Sequence, residues 1–153
     1  MANQNRYQKL HMTNEEKQKE ISERRNKIEP QLRKIVRQTL KLIYGEEEAK
    51  KIVIAEIYGK DRIGRYMNNK YVDLFEPTKH QIFLLTLFSL IKKNWDKGFQ
   101  NFFDCNKDLF DARATIINYN RKGDSHAAEI PDEQFQEFRG AMSWLEKRID
   151  DNK

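Results

Sequence analysis

Arg121 and His126 are the residues of this sequence whose types and spacing best suit chemistry. They lie five positions apart, in the segment that runs from Asn118 to His126. An arginine guanidinium is a permanent cation with a fork of donors that fits a phosphate, and histidine is the side chain that exchanges a proton near neutral pH. Two such groups facing one site can stabilise charge and transfer protons during cleavage of a phosphodiester.

Both side chains can face one site only if a helix ends between them. In a continuous helix each residue turns by about 100°, which would place Arg121 and His126 about 140° apart. Gly123 permits the helix to end, and Asp124 or Ser125 can cap the element that follows. The segment therefore predicts a turn that brings both side chains to one mouth. Asp124 and Ser125 have two interpretations, as caps or as groups that orient His126.

Helical periodicity extends through nearly all of the chain and predicts an all-α, up-and-down bundle of five to six helices. Thr13 or Asn14 is expected to cap the first helix, and Pro30 to open a second one that ends at Gly45. We expect a polar tail at residues 1–13 and a single helical domain at 14–153, since one domain is usual at this length.

The apolar residues predict which helix faces are buried. The first helix has few of them and is expected to be exposed, or to pack on something outside the chain. The central helix, opening at Pro77, is apolar almost all round and predicts a buried spine or a subunit interface. Asp104 is expected to cap the next helix, whose predicted buried stripe is Leu109, Ala112, Ile116 and Tyr119. The last helix, opening at Pro131, is predicted to bury Phe135, Phe138, Met142, Leu145 and Ile149.

Composition limits the classes of site. One cysteine excludes an internal disulfide, and three histidines are too few for a zinc constellation, so we expect no metal and no cofactor. The N-terminus lacks the apolar segment of a secretory signal, and the longest apolar run, 82–91, is too short to cross a bilayer. The sequence therefore predicts a cytoplasmic protein that makes no membrane contact.

The net charge of +5 is concentrated in the first part of the chain. Residues 1–70 contain 17 basic and 10 acidic residues, whereas residues 71–153 contain 12 and 14. Such asymmetry indicates polyanion binding, and an exposed, solvated surface is the alternative. The candidate RNA-binding residues are Arg24, Arg25, Lys27, Arg33, Lys34, Arg37, Arg62 and Arg65. Tyr66 and Tyr71 lie among basic residues and either stack on bases or anchor a loop to the core.

About half of the chain, Leu74 to Ile149, resembles the HEPN superfamily of small helical domains. Three features carry the resemblance: a long apolar helix ending in Asn94-Trp95, a second helix ending in the Arg121-to-His126 motif, and a closing amphipathic helix after Pro131. The family's site is a metal-independent RNA-cleaving centre. The resemblance assigns the acid and base role to His126 and the stabilisation of the phosphate to Arg121.

The resemblance also implies partners. Family members usually join their motifs at a dimer interface, so we expect a homodimer. A ribonuclease of toxin or phage-defence type is the function it implies, with a nucleotidyltransferase-like antitoxin as a possible partner. The family commonly has a polar residue, often asparagine, after the arginine; here Lys122 follows, and Asn120 precedes. A non-catalytic helical module that binds RNA or a protein partner remains the alternative, because the superfamily includes both.

Overall fold

In the computed structural model of this protein, residues 10–120 and 129–152 are described, and within these ranges the chain forms seven α-helices and no strand. The all-α class is thus confirmed, with a helix count above the expected five to six. The helices are α1 Asn14–Tyr44, α2 Glu46–Tyr58, α3 Ile63–Tyr66, α4 Leu84–Lys93, α5 Gln100–Phe103, α6 Lys107–Tyr119 and α7 Asp132–Asp151.

The chain divides into two compact units. The first consists of residues 1–28 and 111–153, and the second of residues 29–110. Each unit has its own set of buried apolar side chains. In the first unit they come mainly from α1, α6 and α7. In the second unit they come mainly from α1, α2, α4, α5 and the start of α6. The expectation of one domain at 14–153 stays a prediction.

The sequence pattern predicts that Pro30 opens a new helix. That prediction was wrong, because Pro30 lies inside the continuous helix α1. A proline within a helix removes one backbone hydrogen bond and costs about 3 kcal/mol. Ile28 and Leu32, on either side, are 2% and 0% exposed, and burying each such side chain contributes roughly 1.5–3 kcal/mol. Arg33 also forms an i, i+4 ion pair with Glu29 at 2.6 Å. Burial around the proline therefore offsets its cost, and α1 ends only at Gly45, where φ is +80°.

The expectation that the first part of α1 is exposed was wrong. Ile21 and Ile28 are both buried, and Lys17 is only 5% exposed. Helix α7, in the same unit, buries all five of its predicted apolar positions. Their 3-4-3-4 spacing places them on one face of a helix, and this face is inaccessible to solvent.

Helix α4 is shorter than predicted. It begins at Leu84, whereas Pro77 was expected to open it. The start is set by Thr86, whose hydroxyl accepts a hydrogen bond from the backbone N–H of Phe83 at 3.2 Å. Phe83 and Leu85 are 51% and 55% exposed, so the helix is not buried on all faces.

The predicted stripe of α6 was wrong by about one residue. The buried side chains are Phe110, Ala114 and Ile117, while Leu109 and Tyr119 are exposed. Within the second unit, the Phe110 ring lies 4.7 Å from the Phe103 ring and 5.2 Å from the Trp95 ring, centroid to centroid. This aromatic cluster fixes the phase of the helix start.

The cap of α6 was also predicted incorrectly. Asp104 has a left-handed backbone with φ +51° and ends the preceding helix α5. The capping side chain belongs to Asn106, whose Oδ1 accepts a hydrogen bond from the backbone N–H of Leu109 at 2.8 Å. Asparagine supplies the same kind of acceptor that was expected from the aspartate.

Candidate functional site

The motif residues Arg121, Lys122, Asp124, Ser125 and His126 lie outside the described residues. Their roles therefore stay predictions. The described residues on each side of the motif are Asn120, which directly follows α6, and Glu129-Ile130, which precede α7. All of these flanking residues belong to the first unit.

Asn120 is buried, with 5% of its surface exposed. Its Nδ2 donates to the backbone oxygen of Ile116 at 2.8 Å, and its Oδ1 accepts from Nε2 of Gln134 at 2.8 Å. Gln134 lies in the first turn of α7. Since a buried amide is stable only when its donors and acceptors are satisfied, these bonds fix Asn120 in one orientation. Asn120, the residue directly before Arg121, thus connects the end of α6 to the first turn of α7 through hydrogen bonds.

Arg25, in α1, binds the C-terminal end of α6. One of its terminal nitrogens donates to the backbone oxygen of Ile117 at 2.6 Å and to that of Asn120 at 3.4 Å. The last carbonyls of a helix have no partner within it, and a cation is favourable at that end. Arg25 was predicted to contact RNA; the structure places its donors on the end of α6, where it positions the residue before the motif.

The other flank of the motif is held by Asn14 and Lys17 of α1. Oδ1 of Asn14 accepts from the backbone N–H of Ile130 at 2.7 Å. The ammonium of Lys17 donates to the oxygen of Ile130 and to Oδ1 of Asp132, each at 2.7 Å. Lys17 was not among the predicted site residues, because a lysine that follows two glutamates usually lies on a solvated helix face. The only hint was Asp132 at the predicted start of the last helix.

A small pocket lies beside Asn120 in the first unit. Its volume is about 210 Å³, and its lining is formed by Thr115, Ile116, Tyr119, Asn120, Gln134 and Glu137. Tyr119, two positions before Arg121 in the sequence, is 72% exposed. A ring in this position offers a stacking surface of the kind that unpaired bases use.

The predicted RNA-binding basic residues fall into two groups, and the first group forms ion pairs or hydrogen bonds within the chain. In the first unit Arg24 contacts Glu146 at 2.6 Å and Glu20 at 3.3 Å. Glu20 also accepts from Arg139 at 2.6 Å. The hydrogen bond from Arg139 is the main reason that the pKa of Glu20 lies below its ordinary value, and the bond to Glu146 raises the pKa of Arg24. These contacts join α1 to α7.

The second group is open to solvent. Lys27, Lys34, Arg62 and Arg65 are exposed and form no ion pair within the described ranges. Arg33 is different, because it is paired with Glu29.

The tyrosines near Arg62 and Arg65 anchor the loop. The Tyr66 ring is stacked on Tyr58 with centroids 3.8 Å apart, and Tyr71 is 4% exposed. Their alternative role in base stacking is not supported by this placement.

Arg37 lies in a cleft of the second unit, which the sequence pattern does not predict. Its volume is about 440 Å³, and it is lined by Arg37, Lys41, Glu46, Lys50, Asn68, Asn69, Lys70, Tyr71 and Val72. Four of these residues are basic and one is acidic. A cleft with this excess of positive charge is suited to binding an anion.

The part of the chain that the structure describes has neither a metal site nor a membrane-spanning helix. No group of three His, Cys, Asp or Glu side chains there is placed to hold a metal ion. None of the helices in that part combines the length and the apolarity needed to cross a bilayer. Comparison with protein-family models, with curated proteins and with solved structures found no match to this chain.

Proposed function

We propose that this protein is a metal-independent endoribonuclease of toxin or defence type, with Arg121 and His126 as its catalytic residues. The observation that supports this proposal is that both described flanks of the motif are fixed to α1. Arg25 holds Asn120, while Asn14 and Lys17 hold Ile130. Catalytic side chains are usually positioned by a rigid scaffold, and the described flanks of the motif are attached to one.

The chemistry proposed is attack by the RNA 2′-oxygen on the adjacent phosphorus. A new bond forms between the 2′-oxygen and phosphorus, and the bond from phosphorus to the 5′-oxygen of the next nucleotide breaks. The products are a 2′,3′-cyclic phosphate and a free 5′-hydroxyl. His126 removes the 2′ proton or protonates the leaving 5′-oxygen, and Arg121 stabilises the charge that develops on the non-bridging oxygens.

A homodimer in the cytoplasm is part of the same proposal. Two proton transfers are needed, and one motif supplies one histidine, so a second copy would provide the other. The supporting residues proposed are Asn120, which holds the motif in place, and Lys122, Asp124 and Ser125 beside the catalytic pair. A nucleotidyltransferase-like antitoxin is the proposed partner that restrains the activity.

A non-catalytic RNA-binding module is the second candidate. The cleft around Arg37, Lys41, Lys50 and Lys70 favours it, because a cationic cleft can hold a polyanion without any reacting group. The two candidates predict the same binding and differ in whether the RNA is cut.

An oligonucleotide with one ribonucleotide in an otherwise 2′-O-methyl strand tests the catalytic proposal. With EDTA present, the wild-type protein should cut only after the ribonucleotide and leave a 2′,3′-cyclic phosphate. The His126→Ala variant should leave the strand intact, and His11→Ala, which removes an exposed histidine, should cut normally. Cleavage of the fully 2′-O-methyl strand, or cleavage that EDTA abolishes, would contradict the proposed chemistry.

A further inference from the structure

The cleft of the second unit is formed where α1 ends, α2 begins and the loop 68–72 lies beside them. Arg37 and Lys41 are one helical turn apart on α1, and Lys50 lies in the second turn of α2. Lys70 comes from the loop. These cations are distant in sequence, and the fold brings them together in one cleft.

The charge of the cleft is only weakly compensated. Its lining has a net charge of +3, from four basic residues and Glu46. The ammonium of Lys41 is 3.6 Å from Glu46, but both side chains are more than half exposed, and such pairs exchange readily for other partners. The Lys50 ammonium donates to the neutral backbone oxygen of Met67 at 3.0 Å, which leaves its charge uncancelled. Arg37 and Lys70 form no ion pair within the described residues.

The walls of the cleft are held by part-buried hydrogen bonds. The hydroxyl of Tyr71 donates to the backbone oxygen of Arg37 at 2.6 Å, and burial raises the pKa of this tyrosine, which keeps it a donor. Asn69 donates to the oxygen of Tyr66 from its backbone N–H at 3.1 Å and from its side-chain amide at 2.9 Å. The loop is therefore held against α1, and the cationic side chains extend from a rigid support.

We infer that this cleft, whose described lining comes from the second unit, binds adjacent phosphates of a single RNA strand. The volume of 440 Å³ falls within the range of about 300–1,000 Å³ that small-ligand sites occupy, enough for one or two nucleotide units. Lysine and arginine provide the charge, and the exposed Asn68 provides an amide donor to a phosphate oxygen. The inference rests on the proposed function for the identity of the strand, although binding here needs no catalytic residue.

Binding of a fluorescent, fully 2′-O-methyl RNA strand tests the inference without cleavage. The variant Arg37→Gln/Lys70→Gln should weaken binding roughly tenfold or more near 0.1 M salt, and should reduce the salt slope by about 1.4, or 0.7 for each lost contact. The control is Lys19→Gln/Lys147→Gln, which removes the same charge from side chains that are 76% and 77% exposed in the other unit. It should retain most of the affinity. Equal losses in both variants would show that only net charge matters and would overturn the inference.

Two further measurements separate the possible failures. The single variant Lys70→Gln, at an exposed position, should show about half of the slope change with an unaltered melting temperature, so that misfolding is not the cause. If tripolyphosphate binds the cleft by calorimetry while RNA affinity is the same in wild type and the double variant, the site serves small phosphates and the RNA inference is wrong. If the cleft variant loses RNA affinity while the wild type cuts no RNA, the inference stands and the catalytic proposal falls.

Discussion

Nε2 of Gln134, in the first turn of α7, donates to Oδ1 of Asn120, directly after α6, at a distance of 2.8 Å. This bond joins two helices at the residue that precedes Arg121. Asn120 is 5% exposed, so water has little access to its amide and cannot readily replace a hydrogen-bond partner.

Replacing Asn120 by alanine should therefore destabilise the protein. The change leaves Gln134 without its acceptor in a partly buried site, and the expected loss is about 1–3 kcal/mol in the free energy of unfolding. Urea denaturation measures it. The control Asn101→Ala, at an exposed position of α5, should change stability by no more than about 0.5 kcal/mol. Equal effects of the two substitutions would contradict the anchoring role.

Lys17 should be among the most sensitive positions of α1. Its side chain is 6% exposed and bonds to Asp132 and to the oxygen of Ile130. Removing one partner of a buried ion pair costs about 3–5 kcal/mol, and the partial exposure of Asp132 puts the expected loss for Lys17→Met near 3 kcal/mol. A fall in melting temperature of roughly 6–12 °C should follow for a chain of this size. Lys19→Met, on the exposed face, should melt close to wild type.

The network around Glu20 should make stability depend on pH in the acid range. The hydrogen bond from Arg139 lowers the pKa of Glu20 from its ordinary value of 4.5. The stabilisation is thus fully present above pH 4.5 and is lost as the pH falls through the lowered value. The stability difference between wild type and Glu20→Gln should be constant at neutral pH and should shrink below pH 4.5.

Glu23→Gln is the matched control for this titration. Glu23 is 66% exposed, and its nearest cation, Lys19, is 3.9 Å away. Its stability difference from wild type should be small throughout. If the stability difference between wild type and Glu20→Gln is the same at pH 3 as at neutral pH, the ion pairs of Glu20 do not affect folding.

A side chain at Gly98 would be crowded by neighbouring side chains in the second unit. A Cβ at this position would overlap Cδ1 of Ile43 and would lie 3.2 Å from Cγ2 of Thr39. Gly98→Ala should therefore destabilise the protein by about 1–3 kcal/mol. Gly140→Ala is the converse case, since nothing lies within 4 Å of a Cβ there and the site is inside α7. It should raise stability by about 0.5–1 kcal/mol, because alanine is the better helix former. Thermal unfolding of the two variants should give shifts of opposite sign.

The parts of the fold that the sequence predicted are those in which local pattern and packing agree. Helix α7 has a single apolar stripe, so its buried positions follow from spacing alone. Helix α6 has two possible apolar stripes, because Leu109 and Phe110 are both apolar. Contact of Phe110 with the rings of Trp95 and Phe103 determines which stripe is buried. Such a choice depends on contacts between helices, which the sequence does not encode locally.

The residues that flank the motif show the same limit. Asn120 was singled out by its place beside Arg121, but its partner Gln134 was not, although both lie in the first unit. Lys17 looked like a solvated charge, since its partner Asp132 is 115 positions away in sequence. The cationic cleft was represented only by Arg37, because Lys50 and Lys70 join it through the fold. Long-range pairing of polar groups has no periodicity that a sequence could reveal.

The rate of RNA cleavage by wild type, Arg121→Ala, His126→Ala and the double variant, all in EDTA, tests the central claim most directly. The proposal has both residues acting in one transition state, so each single variant should lose most of the activity, and the double variant should be little slower than either. Arg121→Lys should also be strongly impaired, because a point charge does not reproduce the two-pronged contact of a guanidinium. All variants should melt close to wild type. Folded wild-type protein that cuts no RNA, or cleavage that is as fast without His126, would contradict the account.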